Sequence, residues 1–224
     1  MEGTFWQRVS TPILFGATIN QISNPKEFFG TYIGKSKLES LVKSVRSAFG
    51  RMDMDYNDIY LHVTKPEKVL LLERKRFEGP EVEAMAAYTS LELSGIPSLI
   101  VEGIAVAPEM QGKGVFKEMT EFASNKEPVI CLRTQNPRMY RALEKYCSVV
   151  YPGDRKAPGA IKEIRQELAK HLGCQITEEG IVRGYFGGLF YGEEPTHITK
   201  SSFFKEQLGM DLDKGDALLV IGIK

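Results

Sequence analysis

A basic surplus, long apolar runs and clustered cysteines are all missing from this 224-residue chain. Lysine plus arginine and aspartate plus glutamate number 29 each, so the formal net charge is zero. A protein that holds nucleic acid through many phosphates carries a surplus or stripe of cations. None is visible, and nucleic acid is not expected as the main partner. No stretch approaches the roughly 18 to 20 apolar residues that a membrane span needs, so no membrane partner is expected. The amino-terminal MEGTFWQRVSTPILFGATINQ lacks the basic-then-apolar order of a secretory leader. Only three cysteines occur, Cys131, Cys147 and Cys174, and they form no CxxC or Cys/His cluster. A disulfide framework and a structural zinc are therefore not expected, and free thiols suit a reducing, cytoplasmic setting. His62, His171 and His197 stand apart, outside any HExxH pattern, and no metal is expected.

What is present is alternation. Strand-like and helix-like segments follow one another, the pattern of an α/β layered domain. Residues 11–22 have a short β-prone core, and 68–77, 83–93, 98–106, 128–134, 148–151 and 217–223 read as strands. SLIVEGIAV, 98–106, is nearly continuously apolar, as in a strand buried on both faces. Leu38, Leu41, Val42, Val45 and Phe49 fall at helical spacing after Ser36, with Gly50 as the stop. Val115, Phe116, Met119, Phe122 and Ala123 form another helical stripe. Asn136 and Pro137 supply an N-cap and a first-turn proline for a third helix, 136–147. Residues 161–172 make a fourth, and Ser201 or Ser202 caps a short one. The run GYFGGLFYG, 184–192, reads first as a hairpin packed on the core; a lid or acceptor pocket, or a homodimer contact, are the other readings. ERKRF, 73–77, reads as a solvated strand edge.

The most informative unit is strand 98–106, the loop APEMQGKG and the helix after it. A loop feeding a helix N-terminus exposes amides that no intrahelical carbonyl can satisfy. Those amides and the helix dipole favour an anion, above all a phosphate. Gly112 and Gly114 let the backbone approach closely, and Lys113 adds a positive charge. The GxxxxGK[ST] pattern is absent, and Lys117 stands where GxGxxG would place its last glycine. Alone, QGKG is equally a tight turn.

The spacing Gln111-Gly112-Lys113-Gly114-Val115-Phe116 resembles the Q/R-x-x-G-x-G/A loop of the GCN5-related N-acetyltransferases, with the lead-in IAVAPE also similar. NPRMYRALEKYC is similar to the helix after that family's fifth strand, with Asn136, Glu144 and Lys145 in place. The resemblance spans about residues 36–151, with 217–223 completing the sheet and 152–216 inserted before it. It implies a single layered domain with a central mixed, twisted sheet flanked by helices. It also implies an acetyl-CoA-dependent N-acetyltransferase in which an amine attacks the thioester directly. Acetyl-CoA would be the co-substrate, and a small molecule or peptide would supply the amine. Backbone groups of Ile104 and Val106 would meet the pantetheine, and amides from Gln111 through Gly112, Lys113, Gly114 and Val115 to Phe116 the pyrophosphate. Asn136 either caps its helix, the reading favoured by sequence, or contacts the pantetheine.

Two positions depart from the family pattern. Phe116 replaces a small residue and either packs inward or narrows the phosphate site. Leu143 stands where the family often has a tyrosine that protonates the departing thiolate. Tyr140 and Tyr146, one turn away on either side, are the candidate substitutes, with water as the third. Glu102 shares a face with Ile100, Ile104 and Val106; it is either the base that deprotonates the amine or a paired structural glutamate. Loss of the tyrosine also leaves open a non-catalytic acyl-CoA-binding module on the same fold.

Overall fold

The structure, a computed structural model, describes residues 6–7, 12–13, 16–77 and 79–224. The β-prone stretch at 11–22 is described except at 11, 14 and 15, and most of the amino-terminal segment read for a leader lies outside the described residues. Among the described residues no helix is long and apolar enough to cross a membrane. Two compact units divide the chain, Met1–Thr89 with Val101–Asn125, and Ser90–Ile100 with Lys126–Lys224.

The first unit holds β1 (Trp6–Gln7), β2 (Pro12–Ile13), β3 (Ala17–Ile22), α1 (Pro25–Gly30), α2 (Tyr32–Phe49), α3 (Tyr56–Thr64) and β4 (Lys68–Arg76). It also holds most of β5 (Gly79–Leu93), the end of β6 (Ile96–Val106) and α4 (Val115–Ala123). Its strands run in the order β1-β3-β4-β5-β6, with β2 on β3. β3–β4 and β4–β5 are antiparallel, Leu71 lying opposite Asn20 on one side and Met85 on the other. β4 is buried continuously from Val69 to Glu73, as a strand inside a sheet must be. Val69 and Leu71 pack with Leu38, Leu41, Val42 and Val45 of α2 and with Ile59 and Val63 of α3.

Local signals explain most boundaries. α2 ends where Gly50 takes a left-handed φ of 64°. It begins earlier than Ser36, because Thr31 caps it, its hydroxyl oxygen accepting from Gly34 N at 3.0 Å. α1 and α3 were not anticipated from periodicity; Asp55 caps α3, accepting from Asn57 N at 2.7 Å and Asp58 N at 3.1 Å. The segment 73–77 is only partly a solvated edge. Glu73 is buried and pairs with Lys37 and Asn20, while Arg74 reaches the buried Glu83 of β5. A carboxylate inside a sheet persists only when so paired.

The second unit contains β7 (Val129–Thr134), α5 (Pro137–Tyr146), β8 (Val149–Tyr151), α6 (Gly159–His171), β9 (Ile181–Val182) and β10 (Ala217–Ile223). The order here is β6-β7-β10-β8, with β9 also on β10. β10 is antiparallel to both β7 and β8, with Leu218 opposite Thr134 and Ile221 opposite Tyr151. α4 follows β6 and precedes β7 in the chain, so two neighbouring strands of the sheet are separated by a helix in sequence. Ile161, Ile164 and Leu168 of α6 pack with Val129, Cys131, Leu219 and Ile221. GYFGGLFYG does not form a hairpin. Strand structure stops at Val182, and the run continues as turns.

Candidate functional site

In the first unit, β6 ends at Val106, a short 3-10 turn follows at Pro108–Met110, and α4 starts at Val115. Glu102, Ile104 and Val106 share one partly exposed face of β6, while Ala105 between them is buried in the core. Gln111 donates its side-chain amide to Val106 O at 3.0 Å, which ties the loop to the end of the strand. Gly112 and Gly114 have φ of 76° and 83°. A Cβ added at either would meet nothing within 4 Å. The left-handed backbone, rather than crowding, is therefore what calls for glycine there. Gln111, Gly112, Lys113 and Gly114 are all exposed. The first intrahelical bond of α4 runs from Glu118 N to Gly114 O at 3.2 Å. The amides before it are those a helix cannot satisfy from within, and they lie at the positive end of its dipole.

Phe116 is buried, with Val115, Met119 and Ala123, on the inner stripe of α4. Its ring is a core anchor for the first turn of α4. Tyr88 and Thr120 meet on the same buried side, oxygen to oxygen at 3.2 Å. The loop is thus held from below by packing and from the side by Gln111, leaving its glycines outward.

In the second unit, Asn136 caps α5, its Oδ1 accepting from Arg138 N at 2.9 Å. The favoured capping role is thus the one its side chain performs. Leu143 is fully buried and packs beneath β10, where a Cβ on Gly222 would come within 3.1 Å of it and 2.6 Å of Cys147 Sγ. Gly222 is what lets α5 approach the strand so closely. The tyrosines beside Leu143 go elsewhere. Tyr140 is fully buried, donates to Pro152 O at 2.6 Å and packs its ring on Phe203 and Phe204. Burial pushes its phenol far above the ordinary range, with Glu144 and Asp154 adding to the effect. Tyr146 is ten positions past the cap, about 15 Å along the helix axis at 1.5 Å per residue. Its ring lies 5.5 Å from Lys224 Nζ. Asn136 marks the end of β7 and the start of α5.

That end is occupied by other side chains, which the sequence reading did not single out. Gln135 is 1% exposed and makes three side-chain hydrogen bonds, two of them to the aromatic segment. Its Nε2 donates to Gly188 O at 3.3 Å and Leu212 O at 3.1 Å, and its Oε1 accepts from Phe190 N at 2.9 Å. Tyr191, next along, hydrogen-bonds through its hydroxyl with the side chains of Asn136 and Thr134. Desolvation pushes its phenol up to about 12 despite those two bonds. The one sequence signal was the aromatic richness of 184–192. Nothing local pairs it with Gln135, more than fifty residues away.

Two of the thiols are unsuited to attack. Cys131 is wholly buried and its thiol is pushed far up by desolvation, while burial holds Cys147 at about 11 against the pull of Lys224. Among the described residues no group of three or more His, Cys, Asp or Glu could hold a metal ion.

No protein-family model matches the chain, and no curated protein matches it. Solved structures similar to it include an IAA acetyltransferase from Bacillus cereus ATCC 14579, 17% identical over 93% of this chain and 99% of that one, with a TM-score of 0.44. AtaTR bound with AcCoA is 14% identical over 64% of this chain and 89% of that one, with a TM-score of 0.41. The ribosomal-protein-S18-alanine N-acetyltransferase from Escherichia coli is 12% identical over 55% of this chain and 79% of that one, with a TM-score of 0.39. These are distant likenesses in backbone course.

Proposed function

We propose that the chain is an acetyl-CoA-dependent N-acyltransferase of the GCN5-related type that acylates a primary amine. The observation that carries this reading is the strand–turn–helix at 104–123. It combines exposed left-handed glycines at 112 and 114, open space above both, and a side-chain tie from Gln111 to Val106 O. Such a turn presents amides and a helix dipole to an anion, and Lys113 adds charge. The pyrophosphate of acetyl-CoA fits these donors. When bound, acetyl-CoA supplies an activated thioester carbonyl.

Glu102 is the proposed base. It is partly exposed on β6, so it can exchange protons with a bound amine or a water. The partly exposed end of β6 at Ile104 and Val106 is where the pantetheine would meet the strand. The Val106 carbonyl shares its capacity with Gln111. Attack by the amine is direct, and the inert state of Cys131 and Cys147 supports a route without an acyl-cysteine. A thiol that stays protonated is a poor nucleophile.

Calorimetry with acetyl-CoA, followed by thiol release over a panel of small amines and peptides, tests the reading. Saturable binding and CoA release with at least one amine are expected; absence of binding by any CoA ester would sink it. The second reading, a non-catalytic acyl-CoA-binding module, is favoured by the burial of Leu143 beneath β10 and the engagement of Tyr140 by Pro152 O. Tight binding with no release above background would select it.

A further inference from the structure

We propose that the second unit carries a binding site for a small organic carboxylate with an apolar body, in the cavity between residues 172–177 and 181–185; this goes beyond the acyl-CoA reading and does not rest on it. The cavity has a volume of about 530 Å³, within the range of roughly 300 to 1,000 Å³ for small-molecule sites. Thr177 and Ile181 tie its two walls together. Thr177 N donates to Ile181 O at 2.9 Å, and Ile181 N to Thr177 Oγ1 at 3.2 Å. Leu172 and Ile176 lie on one wall, Val182 and Tyr185 on the other. The second wall is fixed from behind, where Ile181 and Val182 pair with Leu218 and Ala217 of β10. Among the described residues that line the cavity, none is acidic.

Arg133 sets the sign of the ligand. Its guanidinium lies over the Tyr185 ring, 5.4 Å from the centroid. Its charge also reaches Cys174 on the other wall, where burial pushes the thiol up and Arg133 pulls against it. A guanidinium presents five N–H donors in a planar fork that matches a carboxylate. Arg183, also in the lining, donates to Gly209 O at 2.8 Å and pairs with Asp216, so it adds little net charge. The acids of the connecting turn are engaged as well. Glu178 pairs with Lys162 at 3.1 Å, and Glu179 hydrogen-bonds the Thr177 side chain. Against Gly180 of that turn lies Arg165, whose Cδ would be 2.8 Å from an added Cβ. Arg165 is 3% exposed; its Nη1 donates to Glu178 O at 3.1 Å, while Nε and Nη2 have no partner among the described residues. Glu179 is the acid whose charge it feels. A buried guanidinium so lightly compensated adds positive potential beside the cavity. Apolar walls next to a cation call for a ligand that has both parts, a hydrocarbon body and a carboxylate.

The experiment uses the full chain, with hydrocinnamate as the probe and Cys174 as the reporter. Cys174 is half-buried in the lining, whereas Cys131 and Cys147 are buried. The uncharged reagent N-ethylmaleimide should therefore alkylate Cys174 first, and mass spectrometry follows the rate at that residue. Hydrocinnamate should slow it saturably, with half-protection at about 1 to 10 mM. Hydrocinnamamide has the body without the charge, and acetate the charge without the body; each should protect at least about fivefold less well. Arg133→Met should weaken protection by hydrocinnamate about fivefold to tenfold and leave that by the amide unchanged. Absence of protection up to about 50 mM hydrocinnamate would overturn the proposal. Equal protection by the amide, by acetate or by the cation phenylpropylamine would do the same, as would an unmoved hydrocinnamate curve in Arg133→Met. Should Arg133→Met fail to fold, the comparison of probes on the wild-type chain decides alone.

Discussion

The loop at 107–114 and the aromatic segment at 184–192 are both glycine-rich turns, yet they are built on different principles. The loop is specified locally. Its glycines at 112 and 114 take left-handed φ in open space, and its side-chain tie spans five residues, from Gln111 to Val106. The aromatic segment is specified from a distance. Gln135 reaches it across 53 and 55 residues, and Asp216 across 32. Gly215 carries a close approach, since a Cβ there would lie 2.4 Å from Gly188 N. A turn that binds a ligand with its backbone needs outward space. A turn that positions a side chain needs its backbone gripped.

The contrast breaks most sharply at Asp216. It is 2% exposed and accepts from Gly184 N at 3.0 Å, Asp211 N at 2.9 Å and Arg183. Asp216→Ala should cost about 4 kcal/mol in urea unfolding, because three donors lose a buried charged acceptor. The effect should also depend on pH. Burial pushes this carboxyl up, but the bonds from Asp211, Gly184 and Arg183 outweigh it and hold the pKa below the ordinary value. A depressed folded pKa contributes stability above the unfolded value of about 3.9 and loses it as pH falls through the folded one. The stability gap between wild type and Asp216→Asn should therefore narrow in acid. A gap constant from pH 7 down to 3 would mean that Asp216 is held by shape rather than charge.

Gly215→Ala ranks next. The substitution adds a methyl group against the backbone of Gly187 and Gly188 at a φ of 86°. Strain and crowding together should cost about 3 kcal/mol. The Tyr191 environment should shift in near-ultraviolet circular dichroism. An unchanged spectrum would show that the 184–192 segment does not depend on this contact.

How much of this was legible in the sequence follows the same division. Gly50, the Asn136–Pro137 cap and the 111–114 turn each announce themselves within four residues, because capping and left-handed backbone are local physics. Phe116 was legible as an anomaly, and its burial on the α4 stripe answers it. The hairpin expected at 184–192 did not appear, because side chains far along the chain supply its hydrogen bonds. α1, at six residues, was too short for periodicity to register. Tyr140 and Tyr146 were placed by spacing alone. Spacing gives a helical face, but not which phenol a carbonyl such as that of Pro152 captures.

Gly114 closes the series with two substitutions that separate backbone from charge. At a φ of 83° with nothing within 4 Å of an added Cβ, Gly114→Asp should weaken acetyl-CoA binding about tenfold or more, read by calorimetry, by setting a carboxylate before the pyrophosphate. Gly114→Ala should cost only about 1 kcal/mol in unfolding, the strain of a side chain in left-handed backbone without any clash. Its effect on binding should be smaller than that of aspartate, since the amides stay in place and no charge is added. This pair puts the loop and the aromatic segment on one scale. Alanine at 114 meets strain alone, whereas alanine at 215 meets strain plus neighbouring backbone, and the roughly 2 kcal/mol between them is the measure of the grip. Equal costs would mean that Gly187 and Gly188 yield freely, and that hydrogen bonds such as those from Gln135, Asp216 and Gly215 O hold the segment instead.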